Sequence, residues 1–198
     1  MKSIFKIEDK ALINEILDSM EYGTLALSSD DEPYAVPINF VRIDDDIYFH
    51  GASSNRKMKI LSINQKASFS VVQSYSMIDS DFSSSDGLAC PATQFFKSVS
   101  IDGVIELVGT IEGKIEMFEA LMSKLQPKGG YRAFDDEGYT KALKATTVYR
   151  LIPHNISCKY KFGQHLSQER FDMILSNLAS RGTSLDNATI DMMQSQRR

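Results

Sequence analysis

The spacing of hydrophobic residues changes from helical to alternating after residue 20. Residues 8–20 predict a helix with Glu8 and Asp9 in its first turn, where the helix dipole favours acids, and one apolar face: Leu12, Ile13, Ile16, Leu17 and Met20. Alternating segments then predict strands at 23–28, 34–42 and 47–51, joined by short acidic turns. Turns this short cannot hold a crossover, so we expect an antiparallel meander rather than a βαβ sheet.

Strands and helices alternate through the rest of the chain. Residues 53–55 supply N-cap side chains for a helix in which Met58 and Leu61 share a face, and strands are predicted at 68–73 and 96–109. The polar residues 74–94 between these strands predict a long surface loop. Gly103 indicates either a bulge or a close backbone approach. A further helical face comprises Ile115, Phe118, Leu121, Met122 and Leu125.

The C-terminal third predicts a short helix near 136–144, strands near 146–152 and 156–161, and helices after Ser167 and from Ser184. The helix after Ser167 has a stripe of Phe171, Ile174, Leu175 and Leu178, with Gly182 as its stop. Six or seven mostly antiparallel strands with a few helices predict a closed or partly open β-barrel capped by helices. We assign the barrel domain to residues 1–162 and a helical extension, packed on the barrel or on a dimer partner, to 163–198.

Composition narrows the functional classes. The chain has 198 residues with 42% hydrophobic content, enough for one sizeable core, and no apolar run long enough to span a membrane. The net charge of −4 gives no reason to expect nucleic-acid binding. The first residues lack the apolar segment of a secretory signal, so we expect a cytoplasmic protein. Cys90 and Cys158 lack metal-ligand spacing and are expected to be free thiols, and we expect no metal site.

Pro37 interrupts the strand pattern at 34–42, because proline cannot donate to a β-ladder. Two interpretations stay open. The segment is an edge strand, or its freed backbone from Val36 to Asn39 faces a ligand, with the Asn39 amide as a donor or acceptor.

Residues 48–57 run from a strand through a serine-rich turn into a helix that begins with Arg56 and Lys57. Backbone N–H groups, two hydroxyls and two cations suit a phosphate, whereas the alternative is an ordinary N-cap with solvated basic residues. His50 shares a strand face with Tyr48, and it has either a structural role or a role in anion binding and proton transfer. The acidic runs at 30–32, 44–46 and 135–137 are interpreted as solvated turns.

Three segments together resemble the pyridoxamine 5′-phosphate oxidase-like superfamily of FMN-binding split β-barrels. They are GTLALSSDDEPYAVPINFV, IYFHGASSNRKMKILSINQKASFSVV and FFKSVSIDGVIEL, and the likeness covers residues 8–160 and is closest to the nitroimidazole-resistance branch. The resemblance implies a mainly β fold, a split barrel of six to seven antiparallel strands. It also implies a homodimer with two FMN molecules at the subunit interface.

The resemblance also assigns contacts to the cofactor. The isoalloxazine ring is expected beside Val36, Pro37, Ile38 and Asn39. The ribityl chain and phosphate are expected along Tyr48, Phe49, His50, Gly51, Ala52, Ser53 and Ser54, with Lys57 and Arg56 neutralising the phosphate. We expect the flavin to be contacted from its other side, or from the second chain, by Phe96, Lys97 and Ser98. Phe96 stands where the family commonly has tyrosine, so a proton-donating hydroxyl is missing there.

Two departures from the family bear on function. True pyridoxamine 5′-phosphate oxidases end in an arginine-rich motif, of which only Arg150 and Leu151 are present, so oxidation of vitamin B6 is disfavoured. The segment CKYKFGQHLSQERF is instead similar to an element of FMN-binding negative transcriptional regulators of the PaiB type. It implies that Lys159, Lys161 and Gln164 reach the flavin edge or the partner.

The sequence therefore predicts an FMN-dependent oxidoreductase that takes hydride from a nicotinamide nucleotide and reduces a small nitroaromatic or quinone, with His50 assisting proton transfer. One alternative is an FMN-dependent sensor or transcriptional regulator without turnover. Another is a split barrel that binds haem or a deazaflavin, with His165 as the haem ligand.

Overall fold

A computed structural model describes residues 2–197 of the protein. Within that range the chain forms eight strands, six α-helices and three short 3₁₀ turns. The strands are β1 (Lys6–Ile7), β2 (Tyr22–Ser29), β3 (Glu32–Asn39), β4 (Val41–Ile43), β5 (Asp46–Ala52), β6 (Lys66–Ile78), β7 (Thr93–Leu107) and β8 (Thr146–Lys161). The α-helices are α1 (Lys10–Ser19), α2 (Arg56–Leu61), α3 (Ile111–Leu125), α4 (Thr140–Ala145), α5 (Gln168–Arg181) and α6 (Ser184–Gln196). The 3₁₀ turns cover Ser3–Phe5, Ser80–Phe82 and Glu137–Tyr139.

All the strands belong to one sheet, in the order β3-β2-β6-β7-β8-β5-β4, with β1 paired to β8. The pairs β2–β3, β2–β6, β4–β5 and β5–β8 are antiparallel, which confirms the predicted mainly antiparallel fold with helices. The first and last strands of this order are joined in sequence by one residue, Phe40. The chain therefore brings both ends of the sheet order together at that point, as a barrel-type sheet requires.

The predicted meander is wrong at its middle strand. Residues 34–42 do not form one strand but two, because the fully buried Phe40 leaves the ladder and packs edge-on against Phe69, with ring centroids 4.9 Å apart. β3 pairs with β2, whereas β4 pairs with β5 at the opposite end of the order. One buried aromatic side chain thus turns a three-stranded meander into two hairpins.

Residue contacts divide the chain into two compact units. The first unit comprises the chain up to Asp9, Val72–Ser98 and the chain from Cys158 onward. The second unit comprises Lys10–Val71 and Val99–Ser157. The domain boundary between residues 162 and 163 stays a prediction.

The core of the second unit lies between its strands and helices α1 and α3. The helix α1 buries Ile16 and Leu17 as predicted, although it begins at Lys10, so Glu8 and Asp9 precede it and its first turn holds no acid. In α3 the most buried side chain is Met117, which packs with Val41. The predicted face of α3 is mostly half-buried, because that helix covers the short strand β4 rather than a broad sheet.

Gly103 in β7 marks a close approach between backbones, one of its two predicted meanings. A β-carbon at this position would lie 2.1 Å from the carbonyl oxygen of Ile152 in β8. Burial alternates without interruption through Gly103, so the strand holds no bulge there. β8 is itself one strand, continuous through Pro153, where two strands were predicted.

The first unit contains the largest errors of the sequence prediction. β6 continues to Ile78, into the predicted loop at 74–94, because Ser76 is buried against α6. Its hydroxyl donates to Asp186 Oδ1 at 2.6 Å, and its amide donates to Thr189 Oγ1 at 3.0 Å. Helix α6 has 13 residues, longer than predicted, and begins with a capping box between Thr183 and Asp186. Helix α5 ends as predicted, with Gly182 left-handed at φ +67°.

Candidate functional site

Lys57 occupies the first turn of α2, which follows β5 after the three residues 53–55. The preceding Asn55 caps this helix, since its Oδ1 accepts a hydrogen bond of 2.9 Å from Met58 N. The predicted N-cap is therefore confirmed. This start turns the Lys57 side chain inward, where only 8% of the residue is exposed.

Two stacked aromatic rings lie beneath the Lys57 ammonium. The rings of Phe49 and Tyr149 are 5.0 Å apart and inclined by 13°. Lys57 Nζ lies 5.6 Å from the centroid of the first ring and 5.8 Å from that of the second. A β-carbon at Gly51 would be 3.2 Å from Nζ, so the glycine leaves the room that the ammonium occupies.

The buried ammonium has no counter-charge. Among the ion pairs and hydrogen bonds of residues 2–197, none involves Lys57 Nζ. Burial lowers the pKa of Lys57 accordingly. Buried charges are normally paired, so this arrangement indicates a position for an anion.

A second polar group in the same cluster also lacks a partner. The Tyr149 hydroxyl is buried and has no hydrogen-bond partner within the described chain. Burial raises the pKa of Tyr149, and the nearby Asn55 side chain opposes this rise. The amide nitrogen of Asn55, however, donates to the Ala52 carbonyl at 2.7 Å. An unsatisfied buried hydroxyl costs about 1–3 kcal/mol. The oxygen atoms of a phosphate would supply partners for both groups.

We call this arrangement of Gly51, Asn55, Lys57 and Tyr149 the lysine slot. Its residues fit the phosphate cradle predicted for 48–57, with one addition. Sequence patterns missed Tyr149, which lies opposite Phe49 in the register of β5 and β8. That register joins positions 100 residues apart in sequence, and no local pattern indicates it.

The other predicted phosphate contacts lie at the surface. Ser53 and Ser54 are exposed in the bend before α2. The Arg56 guanidinium lies 4.7 Å from the centroid of the Tyr34 ring and 3.5 Å from a Glu32 carboxylate oxygen. The Arg56 side chain therefore interacts with two residues of β3, whereas the Lys57 ammonium has no ion-pair partner within residues 2–197.

His50 lies on the opposite face of β5 from Phe49, together with Tyr48, as alternation predicts. Its ring centroid is 5.1 Å from that of Phe118 in α3. Desolvation of the imidazole ring and the positive charge of Lys57 lower the pKa of His50. The imidazole is therefore neutral at pH 7, and one of its ring nitrogens can accept a proton.

The strand β3 carries the contacts predicted for the ring of a flavin. Among the strands of residues 2–197 it is the terminal one of the sheet order and has β2 as its single ladder partner. Pro37 lies opposite Thr24 in this pair, which supports the edge-strand interpretation of the proline. Ile38 is buried, Val36 is half-buried and Pro37 is exposed. The exposed Asn39 donates from its side-chain amide nitrogen to the Glu21 carbonyl at 3.0 Å.

Phe96, Lys97 and Ser98 belong to the first unit and divide between the two faces of β7. Lys97 is 5% exposed, with Nζ 4.8 Å from the centroid of the Tyr160 ring. Phe96 and Ser98 are half-buried on the other face, and Lys159 Nζ lies 5.1 Å from the Phe96 ring. Alternation therefore places two of the three side chains, not all three, on one side of the strand.

The C-terminal segment CKYKFGQHLSQERF covers the end of β8, a turn and the start of α5. Gln164 accepts from Phe162 N at 2.8 Å and donates to the Tyr160 carbonyl at 2.9 Å, so its amide folds back on the chain instead of reaching outward. The ring of His165 packs edge-on against Phe5, with centroids 5.4 Å apart.

The antiparallel sheet, whose two terminal strands are joined through Phe40, together with its helices has the architecture of the split β-barrel class. The chain belongs to the pyridoxamine 5′-phosphate oxidase family, since the family model described as Pyridoxamine 5′-phosphate oxidase matches residues 9–160. This match confirms the resemblance found in the sequence. No protein of curated function matches the chain.

Solved structures show the same fold at low identity. The flavocytochrome Anf3 from Azotobacter vinelandii is 23% identical, with a TM-score of 0.66, covering 80% of this chain and 70% of that one. The FAD and haem binding protein from Mycobacterium smegmatis is 22% identical, with a TM-score of 0.67 and coverages of 80% and 74%. A proposed 5-nitroimidazole antibiotic resistance protein from Bacteroides thetaiotaomicron is 18% identical, with a TM-score of 0.62 and coverages of 78% and 85%.

None of the helices in the described chain has the length and apolar character needed to cross a bilayer. Residues 2–197 also contain no group of three or more His, Cys, Asp or Glu side chains arranged to hold a metal ion.

Proposed function

We propose that the protein is a flavoprotein that binds FMN with its phosphate in the lysine slot. The observation that carries this proposal is the buried, unpaired Lys57 ammonium beside the unsatisfied Tyr149 hydroxyl. Membership of the pyridoxamine 5′-phosphate oxidase family supports the choice of cofactor. The names of relatives that bind FAD support a flavin as the class.

The chain's own residues hold and orient the cofactor. Lys57 and the Tyr149 hydroxyl bind phosphate oxygens, and the backbone of Val36–Asn39 lies along the ring at the edge strand β3. Phe96 and Ser98 supply a second contact surface, which in a homodimer comes from either chain. The bound flavin supplies reversible hydride and electron transfer, while the protein supplies binding and electrostatics.

The reaction we propose is the reduction of a small nitroaromatic or quinone at the expense of NADH or NADPH. The name of the Bacteroides relative supports a nitro compound as the acceptor. His50, neutral at pH 7, is the proposed proton-transfer residue. The incomplete arginine motif at Arg150 disfavours vitamin B6 as the substrate, because Arg150 is paired with Asp46 at 2.5 Å.

We propose a cytoplasmic homodimer as the working unit. Large apolar side chains at the surface supply candidate contacts, among them Tyr22 at 61% exposure and Ile63 at 67%. A shared site predicts that flavin dissociates when dilution separates the subunits. Flavin retained by a monomer in sedimentation analysis would contradict a shared site.

The test begins with the absorption spectrum of the purified protein and chromatographic identification of the released cofactor. We expect a flavin spectrum and FMN. Under anaerobic conditions, NADH or NADPH should bleach the flavin, and a nitroaromatic or quinone should restore its colour over many cycles. A bound flavin that neither nucleotide reduces would contradict the oxidoreductase and favour the regulator without turnover. A haem spectrum instead of a flavin spectrum would contradict the flavoprotein.

A further inference from the structure

We propose that the first unit contains a second binding site, which takes the carboxylate or phosphate group of a small molecule. The site is a cavity of about 270 Å³ between the end of β8, the start of α5 and the loop before β7. Its polar side chains include two hydroxyls and three basic groups, and the lining residues that the structure describes include no acid. These side chains are Ser83, Thr93, Lys161, His165 and Arg170.

The lysine and the arginine of this cavity are hydrogen-bonded to neutral groups. Lys161 Nζ donates to the Thr93 hydroxyl. Arg170 donates from Nε to the Ser83 carbonyl at 3.1 Å and from Nη2 to the Ser83 hydroxyl at 3.3 Å. Neither cation forms an ion pair with any acidic side chain in the described chain. Their charge is therefore available to a bound anion.

The electrostatics of neighbouring groups agree with a positive field in the cavity. Burial, together with the charges of Lys2, Lys161 and Arg170, lowers the pKa of His165. Burial and Lys159 lower the pKa of Lys161. Hydrogen bonds from the Leu88 amide and the Ser84 hydroxyl lower the pKa of Asp86, and the charge of Arg170 adds a smaller effect. Asp86 is exposed and does not line the cavity.

The backbone fixes this arrangement. Gly163 is left-handed at φ +80°, and a β-carbon there would lie 3.0 Å from Leu166 Cδ1 and 3.3 Å from the Phe95 ring. The turn leads directly into α5, where Ser167 caps the helix and Arg170 lies in the first turn. The amino end of a helix adds positive potential to that of the side chains.

The cavity size limits the ligand. Pockets for whole drug-sized ligands have volumes of about 300–1,000 Å³, so 270 Å³ suits an anionic group and its nearest atoms. Phe95 and Ile174 are fully buried and form apolar walls, which favour a carboxylate or phosphate attached to a short organic body. All the residues involved belong to the first unit, so this site does not depend on the lysine slot.

The test measures binding of inorganic phosphate and of acetate by titration calorimetry at low ionic strength, with chloride as the reference anion. We expect at least one of the two anions to bind, with tenfold or greater loss of affinity in Lys161→Met and Arg170→Gln. Lys141→Met is the matched control, because it removes an exposed lysine from α4. Binding of phosphate alone assigns a phosphate ligand, and binding of acetate as well assigns a carboxylate.

A second measurement locates the anion without relying on variants that affect folding. Cys90 is exposed and lines the cavity, whereas Cys158 is buried, so neutral iodoacetamide should alkylate Cys90. We expect the bound anion to slow this alkylation, also in Lys57→Met. The proposal is overturned if neither anion outcompetes chloride, or if Lys141→Met loses as much affinity. It is also overturned if binding disappears in Lys57→Met but persists in Lys161→Met, since the anion then occupies the lysine slot.

Discussion

Replacing Lys57 by methionine should change cofactor affinity and protein stability in opposite directions. Methionine has a similar length and no charge, so Lys57→Met keeps the packing against Phe49 and Tyr149 while it removes the ammonium. In the flavin-free protein the lysine residue is 8% exposed, and its ammonium forms no ion pair within residues 2–197. In the proposed complex, the same ammonium contacts the phosphate of FMN.

The magnitudes follow from the geometry. A charge-assisted contact contributes about 1.5–3 kcal/mol, so the dissociation constant for FMN should rise by roughly 10- to 100-fold. The ring centroids of Phe49 and Tyr149 lie 5.6 and 5.8 Å from Lys57 Nζ, near the limit of about 6 Å for cation–π attraction. This attraction therefore stabilises the ammonium by only about 0.5–1 kcal/mol. Since desolvation of an unpaired ammonium costs more than this, the free energy of unfolding without flavin should increase by about 1 kcal/mol.

The assay combines flavin-fluorescence titration with urea unfolding of flavin-free protein. Lys59→Met is the matched control, because Lys59 lies on the same helix and is exposed. It should leave both quantities within error. If Lys57→Met lowers the stability of the flavin-free protein and leaves FMN affinity unchanged, Lys57 is a structural residue and the lysine slot is not a phosphate site.

Three other predictions concern stability. Gly103→Ala should lower the free energy of unfolding by about 3 kcal/mol, because the new β-carbon collides with a backbone carbonyl. Gly109 has open space around it, so Gly109→Ala should change the free energy of unfolding by less than about 0.5 kcal/mol. Equal effects of the two substitutions in urea unfolding would contradict the close approach. Burial lowers the pKa of Lys124 from 10.5 to about 8. Between pH 8 and pH 10.5 the unfolded chain therefore binds more protons than the folded protein, and the free energy of unfolding should rise with pH. Relative to Lys124→Met, we expect this rise to be about 2 kcal/mol. A flat difference between the two pH profiles would refute this shift. Arg181→Leu should cost about 3–5 kcal/mol because it leaves the buried Asp186 carboxylate without its cation; adding Asp186→Asn should restore part of that stability, and no recovery would contradict the explanation.

The elements that the sequence predicts well depend on local spacing. Helices α1, α3 and α5 follow from apolar periodicity, and the start of α2 follows from the N-cap residues at 53–55, of which Asn55 is the cap. The family resemblance also comes from contiguous motifs, and the family match over 9–160 confirms it.

The errors occur where distant residues decide the structure. Ser76 reads as a loop residue because of its polar neighbours, yet Asp186, 110 positions later, pairs with it and keeps it in a strand. Phe40 fits an alternating strand pattern, but the core formed with Phe69 removes it from the ladder. The lysine slot follows the same rule, since its lysine is readable from the sequence and Tyr149 is supplied by the register of another strand.

The most direct test of the lysine slot compares FMN with riboflavin, which has the same ring and ribityl chain but no phosphate. Dissociation constants of both are measured by fluorescence titration for the flavin-free wild type and for Lys57→Met. We predict that the wild type prefers FMN by about tenfold or more and that Lys57→Met loses this preference, because the lost interaction is the one with the phosphate. Equal affinity of the wild type for the two flavins, or an unchanged preference in the variant, would contradict the phosphate site.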